Sequence, residues 1–206
     1  MIDMFKVAIS QNVKRDSERQ QTNDMLDQRL VKWVLSLGAI PIPVPNSLES
    51  NLEFWLMSYK PQAIILSGGN DLGSCSERDE SEMILIDYAR SLKIPLLGIC
   101  RGMQMLVKEA GGKLSKIDSH VATRHSLFQK DNAMPLPKYV NSFHNWGLIK
   151  CPKNYSILAT ANDGSIEAIS HNNLPWEGWM WHPEREELFS KNEINRARNL
   201  LLKHAN

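Results

Sequence analysis

The sequence is short of the features that mark secreted, membrane-spanning or nucleic-acid-binding proteins. Three cysteines, Cys75, Cys100 and Cys151, are too few for a disulfide framework, which predicts a reducing cytoplasmic location. No apolar run approaches the length that spans a bilayer. The start, Met1-Ile2-Asp3-Met4-Phe5-Lys6, has neither the basic beginning nor the apolar stretch of a signal peptide. An excess of charge is missing as well: 24 basic and 23 acidic residues are interleaved and leave a net charge of +1. That excludes the electrostatic footprint of a nucleic-acid binder, while a phosphate group on a small ligand stays compatible. Repeats, linkers and low-complexity segments are absent. What remains is ordinary globular composition, 42% hydrophobic and 23% charged over 206 residues, which predicts one domain, 1–206, around a substantial core.

The most informative stretch is Ile94-Pro95-Leu96-Leu97-Gly98-Ile99-Cys100-Arg101-Gly102-Met103-Gln104-Met105-Leu106. A short apolar run after a proline reads as a buried parallel strand. Met103, Leu106, Val107 and Ala110 then follow helical spacing. Between them, Gly98-Ile99-Cys100-Arg101-Gly102 is a G-x-nucleophile-x-G elbow with cysteine in the serine place. Such a turn lifts the thiol into a cleft and sets it at a helix N-terminus, where orphan amides and the dipole favour a thiolate. Gln104, one helical turn on, would face the same cleft. An isolated G-x-C-x-G is equally an ordinary buried cysteine between packing glycines, so the rest of the chain has to decide.

Phe5 to Ile9 reads as a strand, Ser10 to Gln21 as a polar loop, and Leu26, Leu30, Trp33, Val34 and Leu37 as a helix stripe closed by Gly38. The prolines in Ile40-Pro41-Ile42-Pro43-Val44-Pro45 remove ladder donors, which suits an edge strand. A weaker helix covers Leu48 to Tyr59, and Gln62 to Leu66 is a second buried-strand run that ends in Ser67-Gly68-Gly69-Asn70-Asp71. A helix over Glu80 to Leu92 leads into the cysteine strand. Strands alternating with helices predict an α/β fold with a mostly parallel central sheet and helices on both faces. Ligands bind beyond the C-terminal ends of such strands, where Ser67-Gly68-Gly69 and Cys100 both fall. Lys113 to Lys138 is polar and irregular. Strand leanings return at Val140 to His144, Ile157 to Ala161, Ile166 to Ser170 and Gly178 to Trp181, before a terminal helix over Asn192 to Lys203.

The second motif is Trp179-Met180-Trp181-His182-Pro183-Glu184. Proline favours an extended backbone at itself and before it, and residues two apart in an extended chain face the same side. His182 can then be backed by the Glu184 carboxylate, which completes a nucleophile, base and orienting acid with Cys100. Gly69, at a strand end beside the nucleophile, and the amide of Arg101 are candidate oxyanion donors. His-Pro-Glu and Gly-Gly are weak signals alone, and both are common surface turns.

Together these segments resemble the class I glutamine amidotransferase superfamily, and within it the γ-glutamyl hydrolase branch, which includes γ-glutamyl-γ-aminobutyrate hydrolases. The residues that carry the resemblance are Gly38 to Pro43, Leu66 to Asp71, Gly98 to Gln104, Val140 to His144, Ile166-Glu167-Ala168 and His182-Pro183-Glu184, in the family's order across nearly the whole chain. The resemblance implies a flavodoxin-like three-layer fold with a small additional antiparallel region. It implies a γ-glutamyl thioester on Cys100, with His182 as general base and acid and Glu184 orienting it. It also implies that Gln104 and the segment Ser142, Phe143 and His144 hold the glutamyl α-amino and α-carboxylate groups.

The stretch between Gly112 and Tyr139 is short for the hydrolase branch, and Asn145-Trp146-Gly147 departs from its glutamine-glycine, so the leaving-group side differs most. The compact chain is also loosely similar to the γ-glutamyl-CDP-amidate hydrolases of bacterial capsule phosphoramidate synthesis, with Arg78, Arg124 and Lys130 as candidate diphosphate contacts or simply solvated cations. No cofactor and no metal are expected: His120, His125 and His144 match no ligand spacing and read as solvated or structural. Trp146, Trp176, Trp179 and Trp181 read as packing residues rather than a stacking platform.

Three functions are open on the sequence: a free-standing hydrolase of a small γ-glutamyl amide, a glutaminase subunit that hands ammonia to a separate synthase, and a catalytically dead binding relative. The intact Cys100, His182 and Glu184 weigh against the last, and Asn141-Ser142-Phe143-His144 leans toward the first. The expected partner is a small γ-glutamyl substrate, with no nucleic acid, no membrane and no obligate synthase. A homodimer is compatible with this reading.

Overall fold

Four of the apolar runs lie side by side as parallel strands, and the sheet grows outward from them. The computed structural model describes residues 4–130 and 134–202. The first half of the chain contains β1 (Lys6–Ser10), β2 (Asn12–Asp16), β3 (Gln21–Met25), α1 (Gln28–Ser36), β4 (Ile40–Val44), α2 (Leu52–Tyr59), β5 (Ala63–Leu66), α3 (Ser76–Leu92), β6 (Leu96–Ile99) and α4 (Arg101–Glu109). The second half contains short strands β7 (Ser115–Lys116), β8 (Val121–Ser126), β9 (Phe128–Gln129), β10 (Tyr139–Phe143) and β11 (Trp146–Gly147). After them come β12 (Tyr155–Thr160), β13 (Ile166–His171), β14 (Trp176–Trp179) and α5 (Lys191–Leu202).

The central sheet runs β4-β1-β5-β6-β14-β13-β12-β9. Its first five strands are mutually parallel, and β13, β12 and β9 continue it antiparallel. Both faces are covered. Leu30, Trp33 and Val34 of α1 and Ala197 and Leu201 of α5 pack with Val7, Ile9 and Ile65 on one face. Leu52 and Leu56 of α2, Leu85 and Ile86 of α3, and Met103 and Leu106 of α4 pack with Ala8, Ile64 and Leu66 on the other. Neighbouring strand residues point to opposite faces, and both faces are buried, so β1, β5 and β6 read in the sequence as continuous apolar runs. The expected α/β architecture, with helices on both faces and an added antiparallel region, is therefore the observed one. No helix among the described residues is long and apolar enough to cross a membrane.

Several local expectations are corrected. The predicted loop Ser10 to Gln21 holds a hairpin of β2 and β3. Its residues are polar on both sides, so it carries no alternation to read. It is pinned instead by Asn70, whose side chain accepts from Val13 N at 2.8 Å and donates to Val13 O at 2.9 Å. The irregular stretch Lys113 to Lys138 contains β7, β8 and β9, with β8 paired antiparallel to β10. The helix predicted from Glu80 starts at Ser76, because its first turns bury Arg78 and Glu82 rather than apolar residues. The segment Leu48 to Tyr59 is a 3-10 turn (Asn46–Asn51) kinked at Glu49, followed by α2. The end of the predicted terminal helix, Lys203, and the first three residues of the N-terminal stretch lie outside the described residues. The edge-strand reading of Ile40 to Pro45 holds, since β4 borders the sheet, and Gly38 closes α1 with a φ of 85°.

The turn from β6 into α4 leaves no room for side chains at its flanks. A methyl at Gly98 would stand 2.6 Å from the carbonyl carbon of Gly102, and one at Gly102 would overlap the Leu66 carbonyl. Gly102→Ala should therefore push α4 off β5 and lower the unfolding free energy by about 1–3 kcal/mol, the usual cost of overpacking. Urea denaturation followed by circular dichroism measures this; a variant as stable as wild type would show that the helix and strand can separate freely.

Candidate active site

The three residues expected to react come from neighbouring positions in the sheet. Cys100 follows β6, the Ser67-Gly68-Gly69 turn follows β5 on one side, and His182 and Glu184 follow β14 on the other. Three adjacent parallel strands thus deliver nucleophile, oxyanion candidate and base to one edge of the sheet, beyond their C-terminal ends.

Cys100 is the N-cap of α4 and has a φ of 51° and ψ of −106°, an unfavourable backbone for a residue with a Cβ. Its N–H donates to Trp179 O at 2.7 Å, and its carbonyl accepts from Gln104 N at 3.1 Å, so strand and helix hold the strained turn from both ends. The thiol is buried. The His182 imidazole interacts with it and is bonded through Nδ1 to Glu184 Oε1 at 2.7 Å. Burial alone would lower the His182 pKa. The bonds to Cys100 and Glu184, together with their charges, outweigh it and raise the value to about 9. His182 accordingly carries a proton at neutral pH, and the cation stands beside the sulfur as the counter-ion a thiolate needs.

The route by which Glu184 reaches His182 differs from the expected extended chain. His182 is extended, with φ −111° and ψ 92°, but Pro183–Arg185 forms a 3-10 turn that swings the carboxylate back onto Nδ1. Two further residues hold this turn. Asn141 accepts from His182 N at 3.0 Å and donates to His182 O at 2.8 Å. Arg29 of α1 donates to Glu184 O at 3.0 Å. Asn141 belongs to the segment Val140 to His144 singled out in the sequence, but its grip on this turn, like that of Arg29, comes from the packing of β10 and α1 against it.

Gly69 has a φ of 125°. Its neighbour Gly68 lies so close to the imidazole that a methyl there would stand 2.5 Å from His182 Cε1. Arg101 supplies its backbone at the first turn of α4, while its guanidinium turns inward to Glu82 and Asp79. Glu82 is also bonded by Arg78 Nε at 3.1 Å and Ser10 Oγ at 2.8 Å. Arg78 Nη2 then donates to Ser67 O at 2.8 Å and Gly68 O at 2.9 Å. Arg78 is fully buried in this network, so it is not a diphosphate contact. Arg124 is exposed and paired with Glu186 at 3.0 Å, and Lys130 is exposed.

The other expected binding residues are brought near the cleft but are engaged in structure. Gln104 is buried and donates Nε2 to Trp146 O at 3.0 Å. Ser142 Oγ donates to His120 O at 2.7 Å. Phe143 is exposed, with its ring edge-on to His182 at 6.2 Å. The His144 ring points the other way, Nδ1 on Trp146 O at 3.1 Å and Nε2 toward His120. His120, His125 and His144, expected to be solvated or structural, are gathered with Glu167 into one cluster beneath β10, so none is a freely solvated side chain. Trp176, Trp179 and Trp181 are buried packing residues, with Trp179 stacked on Trp181. The open volume beside the triad is a cleft of about 300 Å³, lined by Asn12 and Met25 of the unexpected hairpin, by Asp27, by Gly68 and Gly69, and by His182 and Arg185.

Comparison with known proteins agrees with this geometry. The family described as "Glutamine amidotransferase class-I" matches residues 18–197. The γ-glutamyl-CDP-amidate hydrolase of Campylobacter jejuni is 37% identical over 150 residues, covering 70% of this chain and 72% of that protein. A glutamine-hydrolyzing GMP synthase subunit from Methanococcus aeolicus is 31% identical over 162 residues, covering 72% of this chain and 79% of that one. In three dimensions, a protein of known structure from Thermoplasma acidophilum superposes with a TM-score of 0.73 at 20% identity, over 97% of this chain and 94% of its own. With a matching fold, a cysteine on its elbow and a family match across most of its length, the chain belongs to the class-I glutamine amidotransferase family.

Proposed function

We propose that the protein hydrolyses the γ-glutamyl amide bond of a small metabolite through a γ-glutamyl thioester on Cys100, releasing glutamate and an amine-bearing product. The observation that carries this reading is the buried Cys100–His182–Glu184 arrangement, with Glu184 accepting the Nδ1 proton at 2.7 Å. That bond leaves Nε2 as the nitrogen that exchanges a proton with sulfur, leaving group and water. The thiolate attacks the γ-carbonyl, and the amides of Gly69 and Arg101 receive the developing oxyanion. The His182 imidazolium protonates the departing nitrogen; neutral again, it activates the water that frees glutamate. Gln104, Ser142 and Phe143 form the glutamyl side, while the His144 ring faces away from it. No synthase partner is needed, and the reaction belongs in the cytoplasm.

For the leaving group we favour a bulky one, with γ-glutamyl-CDP-amidate the first compound to test. The 37% identical relative bears that activity in its name. The second reading, a glutaminase that supplies a synthase, is favoured by the 31% identity to the GMP synthase subunit of Methanococcus aeolicus. Hydroxylamine distinguishes mechanism and substrate together. It should divert the acyl-enzyme to γ-glutamyl hydroxamate in the same proportion for two substrates with different leaving groups, because the acyl group is common to both. Absence of hydroxamate, with Cys100→Ala as active as wild type, would remove the thioester; steady turnover of free glutamine in preference to bulkier amides would favour the glutaminase.

Glu184→Gln should lower kcat by about 10³–10⁴-fold with little change in KM, since the carboxylate stabilises an imidazolium and holds its tautomer. A change confined to KM would place Glu184 in binding instead. The pH profile carries a separate expectation. Because the His182 pKa is raised to about 9, its proton is present at and below neutral pH and is lost as pH rises through about 9. The kcat/KM for a poor leaving group, which depends on that proton, should therefore fall about tenfold per pH unit above 9. A profile flat to two units beyond that value would mean that the leaving nitrogen takes its proton elsewhere.

A further inference from the structure

Beneath the β8–β10 ribbon four side chains with metal-ligating atoms converge, and none of them lines the cleft. His120 precedes β8, His125 lies on it, His144 follows β10 and Glu167 lies on β13. One ligand atom from each falls within 4.8 Å of all the others. His120 Nδ1 is 3.3 Å from His144 Nε2 and 3.5 Å from Glu167 Oε1. His144 Nε2 is 3.6 Å from the same oxygen, and His125 Nε2 is 3.8 Å from Glu167 Oε2.

Two of the rings have their tautomers set from outside. Asp163 Oδ2 accepts from His120 Nε2 at 2.9 Å, and the Trp146 carbonyl accepts from His144 Nδ1 at 3.1 Å. In the neutral rings the proton therefore sits on the outward nitrogen and the inward nitrogen presents a bare lone pair. Two such lone pairs facing each other at 3.3 Å repel. Glu167 is 0% exposed, and among the described residues neither of its carboxylate oxygens has a hydrogen-bond partner; neither ring nitrogen of His125 has one either. A buried carboxylate without a hydrogen bond, ringed by imidazole lone pairs, calls for a cation at its centre.

We propose that His120, His125, His144 and Glu167 bind a zinc ion. Three imidazoles and one carboxylate are a zinc donor set. Bonds of about 2.0–2.2 Å in a tetrahedron set donor atoms about 3.3–3.6 Å apart, the spacing found among His120, His144 and Glu167. The outward bonds to Asp163 and to the Trp146 carbonyl are those that zinc-bound histidines make. Four protein donors fill the tetrahedron and leave no position for water, so the ion is structural. It ties the β8–β10 ribbon to β13 of the central sheet, and so fixes the segment that carries Phe143 beside His182.

The test uses the full chain, purified without chelator or immobilised metal and analysed by mass spectrometry for metals. One zinc per chain should survive dialysis. Stripping it with a chelator should lower Tm, and zinc chloride should restore it. The Cys100→Ala protein should keep the same stoichiometry, which separates this site from zinc captured by the thiol. His125→Ala and Glu167→Gln should each retain less than a tenth of the zinc. Should either variant fail to fold, stripped wild-type protein given cobalt(II) should develop the visible bands of a tetrahedral complex and lose them when zinc is added. Wild-type protein that takes up neither metal, with no change in Tm, overturns the proposal and leaves protonated imidazoles as the counter-ions of Glu167. Zinc retained by both folded variants but lost in Cys100→Ala overturns it as well.

Discussion

One buried carboxylate, Glu82, holds the reactive edge of the sheet together. Its oxygens accept from Ser10 at the end of β1, from Arg78, and from Arg101 at the start of α4. Arg78 passes the connection to the carbonyls of Ser67 and Gly68 at the end of β5. Three strand ends are thus referred to a single anion on α3. Two cations and the two carboxylates of Asp79 and Glu82 neutralise one another there, and removing one partner would leave a buried charge uncompensated at a cost of about 3–5 kcal/mol. Burial lowers the Arg78 pKa, while the Glu82 charge and hydrogen bond act in the opposite direction. The network shows why an elbow is not enough by itself: the backbone on either side of the cysteine is positioned by charges that never meet the substrate.

Within that frame the elbow stores strain. Cys100 occupies a backbone region disfavoured for any residue with a side chain, and the turn persists because Trp179 and Gln104 over-determine it. The same closeness excludes a methyl at Gly102 and at Gly68. The sharp turn exposes the thiol to His182, whose 3-10 turn is gripped by Asn141 and Arg29. Preorganisation is what these contacts supply, since the imidazole reaches both sulfur and carboxylate without rearrangement.

The antiparallel additions divide the labour around this centre. The β2–β3 hairpin contributes Asn12 and Met25 to the cleft wall. The β8–β10 ribbon brings Phe143 to the edge of His182 and buries three histidines against Glu167 on its other side. Both additions are largely polar; side-chain hydrogen bonds help hold both to the sheet, and Val140 of β10 also joins its core.

The strands β1, β5 and β6, the helices on each face, the elbow and the pairing of His182 with Glu184 were all legible in the sequence. Their signals are local: a continuous apolar run, a helical stripe, and glycines two residues either side of a cysteine. The polar hairpin and the short strands of residues 115–129 were not legible, because short, largely polar segments carry neither a continuous apolar run nor a clear alternation. Arg78 read as a free cation and His144 as a substrate contact, since a residue's own neighbours do not disclose which carboxylate or carbonyl it will meet. The sequence alone determined the chemistry on offer, a thiol at a strand-to-helix turn with an imidazole and a carboxylate two residues apart. Tertiary structure decided how it is held: parallel pairing placed β5, β6 and β14 side by side, and contacts spanning many residues assembled the Glu82 network and the histidine cluster. Those contacts depend on distance in space, which spacing along the chain does not encode.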